Sequence, residues 1–94
     1  MLFDWDTGNR DKCQKHGVTI AEIEALLSGT FARRVDPYPA QVEQRYQALG
    51  RTKDGRALFV VFTLRTTEEE IAVRPISARY MHAKEVQKYE QDQE

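Results

Sequence analysis

Cysteine is nearly missing from this 94-residue chain. Cys13 stands alone, which excludes an internal disulfide and a zinc site of the cysteine-rich type. A reducing compartment, the cytoplasm, fits that usage. His16 and His82 are the only histidines, and neither has a partner at metal-ligand spacing. The five glycines are scattered, so there is no glycine-rich phosphate loop, and no Gly-x-Ser-x-Gly elbow occurs. These gaps count against a zinc hydrolase, a P-loop NTPase and a serine hydrolase. The longest apolar run, Ala57 to Phe62, is far too short to cross a bilayer. The first residues, Met1 to Asp6, carry acids where a signal peptide would carry bases. A soluble protein is expected, folded as one small domain over residues 1–94. Such a domain has little stability in reserve, so its active site should be a shallow groove or an uncovered sheet face.

Charge is present in quantity but balanced, with 14 basic and 15 acidic side chains and a formal net charge of -1. The balance is global and not local. Glu68, Glu69 and Glu70 and the tail from Glu85 to Glu94 are acidic. The stretch from Arg45 to Arg65 sets Arg45, Arg51, Lys53, Arg56 and Arg65 against Asp54 alone. One face of the fold can therefore be positive, and local patches decide polyanion binding.

The hydrophobic pattern predicts a short edge strand over Leu2–Trp5 and a helix over Thr7–His16 closed by Gly17. A second helix starts at the capping box Thr19-Ile20-Ala21-Glu22 and ends at Ser28-Gly29, with Ile20, Ile23, Leu26 and Leu27 on one face. Strands follow over Thr30–Val35, Gln44–Gly50 and Ala57–Arg65, the last apolar on both faces and so central. Ile71–Ser77 returns beside it, with Pro75 costing one ladder bond and marking a bulge or an exposed edge. Arg79–Gln91, rich in helix formers, closes the chain as a helix. The order predicts an α+β two-layer domain, two N-terminal helices, a four-strand antiparallel sheet and one C-terminal helix.

Three groups can carry chemistry. Lys15 and His16 can bind a phosphate and move a proton, or His16 is simply a cation at a helix C-terminus. Arg65, Arg74 and Arg79 with Ser77 can form a phosphate cradle, because guanidinium groups match phosphate oxygens in a fork. Alternatively they pair with Glu68–Glu70 or Glu85. His82, Glu85 and Tyr89 share one helix face, either as an acid–base set or as a solvated or packing face.

Four blocks in register resemble the BrnT family. They are Phe3-Asp4-Trp5-Asp6 with Asn9, Lys15-His16-Gly17-Val18-Thr19, the run Gly55 to Arg65, and Arg74-Pro75-Ile76-Ser77-Ala78-Arg79 followed by Glu85 and Tyr89. The chain departs from the family pattern at Pro75 and at Tyr80-Met81-His82. The resemblance implies a RelE-like ribonuclease fold, RNA cleavage without metal or other cofactor, and arrest of translation. It also implies neutralisation by a BrnA-type ribbon-helix-helix antitoxin, through which the pair binds its operator DNA. On that basis Arg65 and Arg79 are expected as transition-state cations, Ser77 as a phosphate or Arg79 anchor, and His16 as base or acid. Lys15, Arg74, Arg51 and His82 are the expected substrate contacts. A catalytically inactive relative that only pairs with an antitoxin is the competing expectation.

Overall fold

A computed structural model describes residues 1–92. In chain order the elements are α1 (Thr7–Gln14), α2 (Ile20–Ser28), β1 (Ala32–Val35), β2 (Arg45–Arg51), β3 (Ala57–Thr66), β4 (Ile71–Tyr80) and α3 (Ala83–Asp92). The four strands form one antiparallel sheet in the order β1-β2-β3-β4. The α+β architecture, with two helices ahead of the sheet and one after it, is the one the sequence predicts.

Both N-terminal helices begin at reciprocal caps. The Asp6 side chain accepts from the Asn9 N–H, and the Asn9 side chain accepts from the Asp6 N–H. Thr19 and Glu22 do the same for α2. Each satisfies backbone donors that a helix start leaves open. Gly17, at φ 89°, lets the chain turn between the two helices.

Alternation along the strands sends Tyr46, Ala48, Leu58, Val60, Phe62, Val73, Pro75, Ala78 and Tyr80 to one face. There Leu58, Val60, Ala48 and Ala78 form the core with Ile23, Leu26 and Leu27 of α2 and Cys13 of α1. Each fully buried leucine or isoleucine there stabilises the fold by roughly 1.5–3 kcal/mol. Gly50 lets α2 come this close, since a Cβ at that position would lie 2.5 Å from Leu26 Cδ1. Burial also pushes the Cys13 thiol up to about 11.

Three expectations need correction. The last helix starts at Ala83, not Arg79, because Ser77 to Tyr80 stay in the sheet opposite Leu58 to Val61. Burying Ala78 against Val60 and pairing the backbone outweigh the helix preference of that segment. Leu2–Trp5 is no full strand. It makes one parallel bridge, Phe3 to Val73, held by Asp4 N–H to Val73 O and Val73 N–H to Leu2 O, both 2.9 Å. The bulge and the edge position expected at Pro75 are both present, but Pro75 costs no bond to β3. Val73 turns its N–H and C=O outward, and Pro75, two residues on, faces the same way. Its carbonyl accepts from Asn9 Nδ2 at 2.8 Å, and the missing donor lies on the edge side.

Candidate active site

The second face of the sheet carries polar side chains in cross-strand rows. Ala32, Leu49, Phe59 and Arg79 form one row. The next holds Arg34, Gln47, Val61 and Ser77. Beyond it lie Arg45, Thr63 and Arg74, and then Arg65 beside Ala72.

A bulge makes this face. Val61 pairs with Ser77, but Phe62 pairs with Pro75, so Ile76 has no partner of its own. Strict alternation would put Arg74 on one face and Ser77 and Arg79 on the other. The extra residue brings all three to the same face.

Arg79 is the best-held cation there. Its guanidinium lies 4.7 Å over the Phe59 ring. Nη1 donates to Glu85 Oε1 at 2.8 Å and Nη2 to Glu85 Oε2 at 2.7 Å. Glu85 Oε1 also accepts the His82 N–H at 3.0 Å. These donors, Arg79 first and the His82 amide second, hold the Glu85 carboxyl down at about 2. The same pair raises Arg79 further. Around them opens a recess of about 350 Å³ between the sheet and α3, lined also by Arg34, Gln47, Lys88 and Tyr89. The Tyr89 hydroxyl donates to Leu49 O at 3.4 Å and so helps seat α3.

Arg65 and Arg74 lie at the other end of the face. Six residues of β3 separate Arg65 from Phe59, the partner of Arg79, which is roughly 20 Å of strand. Arg65, Ser77 and Arg79 therefore do not converge on one point. Arg74 Nη2 donates to Asp6 Oδ2 at 2.8 Å, and Nη1 lies 3.5 Å from Asp4 Oδ2. Asp6 is lowered by the Asn9 N–H first and by Arg74 second. Arg65 Nη2 lies 3.5 Å from Glu43 Oε2, whose Oε1 accepts from Arg45 Nε at 2.9 Å. The arginines do not pair with Glu68, Glu69 or Glu70 among the described residues; Arg79 does pair with Glu85.

The other expected residues sit apart. Lys15 and His16 are exposed and line neither arginine recess. They lie beside Gly17, whose carbonyl meets the Tyr80 hydroxyl at 3.5 Å on the core side of β4, across the strand from Arg79. His82 serves through its backbone and exposes its ring. Arg51 is held by Gly55 O at 2.9 Å and by Glu90. A larger recess, about 610 Å³ between α2 and the β2–β3 turn, is floored by Ala21, Ala25 and Leu26, and its cations Arg51 and Lys53 are matched there by Glu22 and Asp54.

Arg34, Gln47 and Lys88 in the α3 recess were not singled out from sequence, nor was Lys12 near Arg74. The signal for Arg34 and Gln47 is parity. Once β2 is set against β3, both fall in the Ser77 row. Among the described residues, no three His, Cys, Asp or Glu side chains are grouped so as to hold a metal ion. No helix among them is long and apolar enough to cross a membrane.

Residues 5–85 match the family model of the ribonuclease toxin BrnT of type II toxin–antitoxin systems. The chain belongs to the BrnT family. Family membership makes it a ribonuclease toxin with an antitoxin as its partner. The match takes in the whole sheet of this BrnT chain and ends on Glu85, so both members of the Arg79–Glu85 pair lie within it. No curated protein matches the chain.

Proposed function

We propose that this BrnT-family protein is a cytoplasmic endoribonuclease that cleaves RNA without metal in the recess beneath α3 and so inhibits translation. The antitoxin is of the ribbon-helix-helix BrnA type, and the pair contacts operator DNA through it. The observation that carries the proposal is Arg79, stacked on Phe59 and poised between Glu85 and Ser77's row on the open sheet face.

In the cleavage step the ribose 2′-oxygen forms a bond to phosphorus and the bond to the 5′-oxygen breaks. The products are a 2′,3′-cyclic phosphate and a free 5′-hydroxyl. Arg79, with Arg34 and Lys88 beside it, stabilises the charge that builds on the phosphoryl oxygens. Ser77 anchors a phosphate oxygen from the adjoining row. Glu85 is the carboxylate within reach and takes the 2′-hydroxyl proton, while the departing 5′-oxygen takes a proton from water and Glu85 returns its own to solvent. At about 2 it is a weak base while Arg79 holds it. A phosphate that draws Arg79 away strengthens it, so substrate binding and base activation are one event. His16, Lys15, Arg51 and His82 act on RNA beyond this recess, and Arg65 and Arg74 on the backbone a few nucleotides away.

The inactive-relative reading has one observation in its favour: Glu85 already occupies two donors of Arg79. One experiment separates the two. Purified protein is incubated with single-stranded RNA in EDTA. Cleavage that drops about a hundredfold or more in Arg79→Ala, but persists in Arg33→Ala, is the expected result. No cleavage by the native protein, or cleavage only after a divalent metal is added, overturns the proposal.

A further inference from the structure

Arg45 and Arg74 flank the buried Thr63 from either side, in hydrogen-bonded register across three strands. Arg65 projects from the same face two residues along β3, and Lys12 of α1 reaches the same recess, of about 280 Å³. The Thr63 hydroxyl is spent on Gln44 O at 2.7 Å, so the floor offers cations rather than neutral donors. Four cations thus line one small recess, and three carboxylates pair with them, Glu43 from within the lining and Asp4 and Asp6 from beside it. Glu43 serves Arg45 and Arg65 together, and Asp4 and Asp6 both serve Arg74. Lys12 makes no ion pair among the described residues. Arg45 is also preset, its guanidinium 3.7 Å from the Tyr38 ring centroid and its Nε on Glu43. Like charges gathered on a sheet repel unless an anion lies among them, and here the anions supplied by the protein are one short.

We propose that this recess is a second phosphate-binding subsite that holds the RNA backbone a few nucleotides from the scissile bond. The subsite rests on the ribonuclease reading above. The two recesses are on one face. Arg79 lies opposite Phe59 and Arg74 opposite Thr63, four residues on, which is about 13 Å along the sheet. A single extended RNA strand laid across the Ser77 row would reach both. Backbone contacts of this kind fix register and supply affinity without reading bases. An acidic segment of the antitoxin is the other occupant this charge would suit. The shared face and the alignment with Arg79 favour RNA.

The test uses the full chain with Lys12→Ala and Arg45→Ala. Lys12 is exposed and makes no ion pair among the described residues, so its variant is expected to fold as the native protein does. On an oligoribonucleotide long enough to span both recesses, each variant should raise KM several-fold with kcat held. Each should also reduce the slope of log affinity against log salt by about one. On a substrate too short to reach the recess, both should match the native protein. Binding to an uncleavable 2′-deoxy oligonucleotide of the same length is measured in parallel. Native binding that weakens in the variants supports the subsite even if no RNA is cut, in which case only the catalytic reading fails. Native KM, affinity and salt slope in both variants overturn the subsite. So does loss of antitoxin binding in the variants with RNA affinity intact, which would give the recess to the antitoxin.

Discussion

Glu85 accepts from two guanidinium nitrogens and a backbone amide at once, and this gives it a measurable signature. Its folded value, about 2, is below the ordinary 4.5. A carboxylate depressed on folding adds stability that is present above about pH 4.5 and is lost as pH falls toward 2. Glu85→Gln should therefore flatten the fall in unfolding free energy between those limits, read from denaturant melts at several pH values. An unchanged profile would show that the pair is not formed in solution. Asp6 and Glu22, also depressed, keep part of the slope in the variant. At this scale the candidate residue types were legible, because arginines and a serine on a strand suit a phosphate wherever they lie. Their grouping was not. It depends on the bulge at Ile76, and nothing in the types Pro75-Ile76-Ser77 says which residue will go unpaired. His16 was out of reach for the same reason. Its neighbourhood is fixed by how α1 meets β4, not by its position beside Lys15.

Asn9 ties three elements together. Its Nδ2 donates to Asp4 O at 2.9 Å and to Pro75 O at 2.8 Å, and its Oδ1 accepts from Asp6 N at 2.7 Å. The N-terminal segment, the start of α1 and the outer edge of β4 thus share one buried amide. Asn9→Ala leaves two carbonyls and one amide without partners and should cost about 2 kcal/mol or more, measured as a fall in denaturant midpoint at constant m-value. Gln14→Ala, which removes an exposed bond to Arg10 O within the same helix, should change little. Elements carried by local signals could be read from sequence. The Thr19–Glu22 box, the apolar face of α2 and the apolar run of β3 belong to this class. The end of β4 could not, since Ala78, Arg79 and Tyr80 are strand only through Val60, Phe59 and Leu58 opposite them. The same holds for the Asp6–Asn9 cap, which is visible as a pair of residue types only once the turn before α1 is known.

Taken as a whole, the molecule spends its helices unevenly. α1 and α2 cover one face of the sheet and its β4 edge, while α3 rests on the other face at one end, through Glu85, Tyr89 and Glu90. Beyond α3 that face displays Arg45 and Arg65 although the net charge is -1, whereas Lys53 lines the recess beside α2 and Arg56 lies over the Tyr80 ring on the core side. Cys13, fully shielded where α1 meets the core, has a use that its chemistry alone would not suggest. A thiol reagent can reach that sulfur only after the helix lifts away, so the labelling rate is a stopwatch for opening of this one region. Asn9→Ala should make it run faster at neutral pH while Glu85→Gln leaves its pace alone, and equal rates in all three proteins would mean that α1 and the α3 recess loosen as a single unit.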